Sequence, residues 1–212
     1  MTRDIPSAPQ TATASASASA SASASAAADS KVPPLDLPLN PPPNPPPPTF
    51  RRATEADLPT LVRLRDAAAT WQVSRGIDQW TPGEMTEAHF RAALEQAEIW
   101  LAHLGDHPVG AWELWWEDPA AWGPQPPTAA YIHRLMTDRA TAPPGTGRHL
   151  LAAAEARIAT TGRPLARLDC LTTNTRLHTY YESAGYTPTG RHHVTTGLGD
   201  PYTVTLFEKQ LH

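Results

Sequence analysis

The stretch "TAPPGTGRHLL", Thr141 to Leu151, places two prolines and a Gly-Thr-Gly directly before an apolar-periodic run. The first amides of a helix have no intrahelical acceptor and carry the positive end of its dipole, so a phosphate is a natural partner there. Gly145 and Gly147 let the main chain approach a ligand closely, and Arg148 and His149 add side-chain charge. The amides from Gly145 to His149 are therefore candidates to grip an anion. A tight strand-to-helix connection would use the same residues. The run is neither a G-x-x-x-x-G-K-[ST] loop nor G-x-G-x-x-G. Two other kinds of chemistry are on offer. His133, in "YIHRLMTDR", carries an imidazole that titrates near neutrality and can relay a proton. Tyr181 carries a phenol whose proton leaves near a thiol's range. Cys170 has no paired histidine nearby in sequence and reads as a buried structural thiol. The pairs His192–His193 and His103/His107 lack a third ligand at a recognisable spacing, so no metal is expected.

These groups need a scaffold. Residues 1–48 cannot provide it: half of the 24 prolines lie there, beside an Ala/Ser alternation, with almost nothing large and apolar to bury. Such a segment is expected to be a disordered tail, extended where proline is dense. It has no apolar core of a secretory signal. Residues 49–212 suffice for one domain with a real core. No apolar stretch approaches the roughly 20 residues that span a bilayer. The formal charge of −4 is spread over interspersed acids and bases, so nothing suggests a nucleic-acid surface. A single cysteine excludes an internal disulfide and suits a reducing cytoplasm.

Periodicity predicts helices over 54–72 and 86–98, a hairpin of strands 99–104 and 109–117 about "GDHP", and a strand at 129–137. A helix follows the glycine turn; Leu150, Leu151, Ala154 and Ile158 share one of its faces. A strand at 165–172, a helix at 174–185 and two last strands around "GLGD" complete an α/β order. The helix after the glycine turn is expected to cross between two parallel strands, with a ligand beyond their carboxyl ends.

"YIHRLMTDRATAPPGTGRHLL" followed by "LDCLTTNTRLHTYYESAGY" resembles the GNAT superfamily of acyl-CoA-dependent N-acyltransferases, and the likeness extends over residues 49–212. The resemblance implies a mixed, mostly antiparallel central sheet flanked by about four helices. It implies a bulged strand at "HRLMTD", with Leu135, Met136 and Thr137 along the pantetheine arm. "APPGTG" stands at the place of the pyrophosphate loop Q/R-x-x-G-x-G/A, and "NTRLHTYYESAGY" matches N-x₆-Y-E-x-x-G-F/Y. By resemblance Gly145, Thr146, Gly147, Arg148, His149 and Asn174 contact the coenzyme, and Tyr181 protonates its sulfur. Asn174 is also a helix N-cap by type. The first loop position is Ala142 rather than Gln or Arg, and Pro143 and Pro144 lack N–H donors, so Arg139 or Arg148 is left to supply charge.

The strand with His133 is similar to the "HLHALAVHR" strand of arylalkylamine N-acetyltransferases. Tyr131 stands at its first histidine and His133 at its second, which implies His133 as base, with Glu117 and Asp118 as runners-up. All seven tryptophans precede the coenzyme motifs, in the half that supplies the family's acceptor pocket. Trp71, Trp80 and Trp122 fall in or beside predicted loops and are candidates to line it; Trp100, Trp112, Trp115 and Trp116 read as core. The expected activity is acetyl transfer from acetyl-CoA to a small amine (aminoglycoside-like, arylalkylamine or amino-acid metabolite), by a cytoplasmic monomer or homodimer without metal, membrane or nucleic-acid partners. Acetylation of a protein amine, and a silent acyl-CoA-binding module whose Pro-rich tail recruits a partner, are the alternatives.

Overall fold

Seven strands form one sheet in the order β1-β2-β3-β4-β5-β7-β6. They are β1 (Thr49–Arg52), β2 (Glu98–Leu104), β3 (His107–Trp115), β4 (Ala129–Thr137), β5 (Leu165–Leu171), β6 (Thr187–Thr195) and β7 (Pro201–Gln210). The helices are α1 (Leu58–Ser74), α2 (Glu87–Gln96), α3 (Pro119–Trp122), α4 (Thr146–Ala159) and α5 (Thr175–Glu182). The structure is a computed structural model that describes residues 46–77, 79–195 and 201–212. The expected tail up to residue 45, Asp78 and the turn "GLGD" lie outside the described residues. No helix among the described residues is long and apolar enough to cross a membrane.

The expected element order holds, with one addition. The loop "DPAAWGPQPPT" contains the one-turn α3, which Asp118 caps by accepting from the Ala121 N–H at 3.2 Å. Proline at its first position is pre-organised for such a turn. The hairpin turn between β2 and β3 also tightens to Gly105 and Asp106, so His107 and Pro108 join the strand.

Every strand pair is antiparallel except β4–β5. That parallel pair is joined through α4 and holds register only at Ala129↔Leu165, Ala130↔Ala166 and Tyr131↔Arg167. Beyond Tyr131 the strands part. On its other side β4 is bulged: Ala111 faces Met136 and Glu113 faces His133, so Trp112 opposes both Arg134 and Leu135. Arg134 takes φ +47°, the left-handed conformation that a bulge can require.

The sheet buries different material on its two faces. Trp112, Leu114, Ile132, Leu150, Leu168 and Phe207 belong to the core beneath α4 and α5. Leu58, Leu61, Leu64, Phe90, Ile99 and Met136 form the one beneath α1 and α2. Gly110 on β3 leaves room for the Leu150 side chain of α4 and the Met136 carbonyl of β4. A Cβ there would stand 2.6 Å from the Met136 carbonyl oxygen and 2.9 Å from Leu150 Cδ2. Gly110→Ala is expected to destabilise the protein by about 1–3 kcal/mol, as overpacking does. Urea denaturation checks this, and an unchanged midpoint contradicts the packing described.

Candidate functional site

The gap between β4 and β5 opens toward the head of α4, and the candidate residues gather around it. Gly145 is the N-cap of α4 at φ +90°, a conformation that favours glycine. Not all the nearby amides are available. Thr146 N–H donates to the Pro143 carbonyl at 3.2 Å, and Arg148 and His149 N–H donate to the Gly145 carbonyl at 2.9 and 3.4 Å. The Thr146 hydroxyl also turns back to the Pro143 carbonyl, at 2.8 Å. Gly145 and Gly147 N–H have no protein acceptor among the described residues. The expectation of a continuous row of free amides from Gly145 to His149 is thus corrected to two, because the tight turn satisfies the others itself.

Side chains add to what the turn gives up. The Arg148 guanidinium lies 4.6 Å over the Tyr180 ring and donates to the Ser183 hydroxyl, tying α4 to α5. The Tyr180 hydroxyl is buried without a partner among the described residues; a Cβ on Gly147 would lie 3.1 Å from it. Burial raises this phenol's pKa, against the opposing charges of Arg148 and Arg139. Burial and the charge of Arg176 in turn lower the pKa of Arg139. Arg148 and Arg139 thus act on the Tyr180 phenol, and Arg176 acts on Arg139. Tyr180 and Arg176 were missed as site residues: their spacing looks like ordinary helix packing and a solvated charge.

Tyr181 is 7% exposed. Its ring packs against Tyr180, Tyr186 and Phe207 at 5.3, 6.1 and 5.7 Å. Burial, reinforced by neighbouring Cys170, pushes its pKa far above a free phenol's, which keeps the proton on oxygen. Cys170 is buried and its thiol is pushed up to about 12 by burial, the inert state expected of it. Asn174 Oδ1 caps α5 by accepting from Leu177 N–H at 3.2 Å. Along β4, Leu135 packs against the α4-side core, Met136 is buried in the α1-side core, and Thr137 pairs with Gly110.

His133 projects to the opposite face, where its ring meets Trp115 edge-on at 6.2 Å. Its Nε2 is 3.2 Å from Asp118 Oδ2, out of line for a hydrogen bond. Burial lowers the pKa of the imidazole, but the Asp118 carboxylate outweighs burial and leaves it raised. Burial would raise Asp118, yet His133 leaves it lowered. Asp169, on β5 beside them, is raised by burial. It was missed, although charged Arg167 and Asp169 alternating on the strand "LARLDC" are the signal of a polar face. Nearby, buried Glu113 holds Arg134, and buried Arg65 pairs with Glu84 at 2.8 Å.

The three candidate tryptophans do not line one pocket. Trp71, on the last turns of α1, packs against Arg139 at 4.4 Å. Trp80 covers Arg65 at 4.2 Å. Trp122, on α3, meets Tyr131 at 5.9 Å and Arg167 at 4.6 Å. Each ring has its own cationic or aromatic partner, which sequence spacing does not reveal. Glu117, the other runner-up base, has no contact that distinguishes it.

Comparison with known proteins agrees with this architecture. The model of the acetyltransferase (GNAT) family matches residues 64–186. A Bacillus subtilis (strain 168) protein described as an uncharacterized N-acetyltransferase, YesJ, is 26% identical over 172 residues, covering 75% of this chain and 88% of its own. Among solved structures, the PaiA N-acetyltransferase of Thermoplasma acidophilum in complex with coenzyme A superposes with a TM-score of 0.59 at 17% identity. It covers 77% of this chain and 99% of that one. YncA of Salmonella typhimurium with its cofactor acetyl-CoA gives 0.57 at 16% identity, covering 78% and 94%. At such identities the structures establish a shared fold.

Because Asp118 holds the His133 pKa up, Asp118→Asn is expected to lower the pH at which that ring titrates. Proton NMR of the ring resonances measures it; an unchanged or higher midpoint contradicts the pairing.

Proposed function

The chain belongs to the acetyltransferase (GNAT) family, and from that premise we propose that it moves an acetyl group from acetyl-CoA to a primary amine of a small molecule by direct transfer. The observation that carries this reading is the parting of β4 and β5 after Tyr131↔Arg167, at the head of α4. An extended pantetheine arm can complete the unpaired edge of β4 at Leu135, Met136 and Thr137, since exposed strand edges take up extended partners. Its diphosphate then reaches the amides of Gly145 and Gly147, with charge from Arg148, Arg139 and Arg176 replacing what Pro143 and Pro144 cannot donate. Asn174, Thr146 and His149 frame the same entrance. The relatives solved with coenzyme A and acetyl-CoA support this choice of cosubstrate.

Acetyl transfer needs a neutral amine, a polarised thioester carbonyl and a proton for the departing sulfur. Tyr181, held protonated by burial, supplies that proton. His133 accepts one from the amine, and Asp118 tunes it for the task. The acceptor enters from the α1–α2 face, where Trp80 and Trp122 bound the polar side chains and Trp71 stands apart toward the coenzyme loop.

Tyr181→Phe is expected to lower kcat by roughly 10² or more, the usual worth of a positioned proton donor, while the KM for acetyl-CoA changes little. Thiol release from acetyl-CoA in the presence of an amine panel measures both. A silent acyl-CoA-binding module would bind the coenzyme without turnover, and an unchanged kcat would remove Tyr181 from the mechanism.

A further inference from the structure

Asp118 at the cap of α3, His133 on β4 and Asp169 on β5 each bring a ligand atom within 4.8 Å of the others. Three separate elements fix them. His133 and Asp169 each lie two residues beyond the last β4–β5 pair, Tyr131↔Arg167, on either side of the gap. Asp118 is anchored by its other oxygen, since Oδ1 accepts from the Ala121 N–H at 3.2 Å while Oδ2 turns to the ring. Outer hydrogen bonds of this kind orient a carboxylate ligand. Oδ2 stands 3.2 Å from His133 Nε2, out of line for a hydrogen bond. That is the spacing of two atoms on one ion: bonds of about 2.0–2.2 Å to a tetrahedral or octahedral metal set adjacent ligand atoms roughly 3.0–3.4 Å apart. The ring keeps 27% of its surface exposed, so an ion can reach it.

The charges agree with the spacing. Nearby Arg134 is held by Glu113, and Arg167 by Glu208. A divalent ion balances both aspartates when the imidazole is neutral. One nitrogen and two oxygens, without sulfur, suit a first-row transition ion such as zinc, whereas magnesium and calcium prefer oxygen throughout. The three ligands come from elements far apart in the chain, so no metal motif announces them in the sequence.

We propose that Asp118, His133 and Asp169 form a site for a zinc-like divalent ion at the mouth of the β4–β5 gap, and that filling it switches acetyl transfer off. The second half rests on the acetyl-transfer reading above: an imidazole bound to metal has no lone pair left to take a proton from the amine. With three protein ligands the ion keeps a further position for water. It also ties β5 to β4 and α3 beyond the point where the strands cease to pair, so the folded state gains stability as the site fills.

The test uses the full chain, stripped of metal with a chelator that is then dialysed away. Zinc, titrated by calorimetry, is expected to fill one site, to shift the NMR resonances of the His133 ring and to raise Tm. Cobalt(II) is expected to give a visible absorption that zinc displaces, and magnesium and calcium to leave the ring unmoved. Asp169→Asn and Asp118→Asn, the second keeping a residue able to cap α3, are each expected to weaken zinc binding roughly tenfold or more. Should a variant fail to fold, the ring resonances and the cobalt spectrum of the unaltered chain decide. The initial rate of amine acetylation, read by mass spectrometry, is expected to fall roughly tenfold or more once zinc fills the site, as when a general base is lost, and to recover on chelation. Zinc that moves other histidines and not His133, affinity unchanged in both variants, an equal answer from magnesium, or full turnover with the site filled would each overturn the proposal. Zinc bound as described by a chain that acetylates no amine even when free of metal would count against the acetyl-transfer reading and leave the metal site standing.

Discussion

The organisation of this molecule depends on a parallel strand pair that stops early. After three paired positions β4 and β5 diverge, and the edge of β4 that faces the gap is left without a ladder partner. Backbone polar groups demand partners, so such an edge inside a sheet is an unfilled hydrogen-bonding surface. The bulge at Arg134 and Leu135 helps turn β4 away from β5. The contact of α4 on Gly110 then holds the helix head at the opening.

Around that opening the sheet separates two electrostatic regimes. Beneath α4 and α5 lie Tyr181, Cys170 and Phe207, apolar enough to keep a phenol and a thiol protonated. On the other face, buried charges are matched one to one, Glu113 with Arg134 and Arg65 with Glu84, except where Asp118 and Asp169 both meet His133. Removing one member of such a buried pair leaves an uncompensated charge, so the polar face is fixed in its arrangement. A protonated phenol thus lies on one face and an imidazole paired with a carboxylate on the other, with the β4–β5 gap beside the strand that carries the imidazole.

Much of this was legible in the residues. The 3.6-residue period of Leu150, Leu151, Ala154 and Ile158 gave α4, and glycine at 145 and 147 marked its start. The order of elements along the chain, the crossover and the bulged strand followed from pattern and resemblance together, while the order of strands within the sheet did not. What stayed hidden depends on distant pairings. No spacing says that Asp118, ahead of β4 in the chain, turns its free oxygen toward His133 while its other oxygen caps α3. Nor does it say that Trp71, Trp80 and Trp122 each find a separate cation. Even the glycine turn was read too generously, because three of its five amides, those of Thr146, Arg148 and His149, hydrogen-bond to carbonyls of the turn through geometry only coordinates reveal.

The most direct measurement is the backbone amide NMR spectrum of the full chain titrated with coenzyme A. The account predicts saturable shifts at Leu135, Met136 and Thr137 on β4 and at Gly145 and Gly147 at the head of α4, with far smaller changes on β1 and β2. Shifts confined to other surfaces, or a spectrum indifferent to the coenzyme, would contradict it.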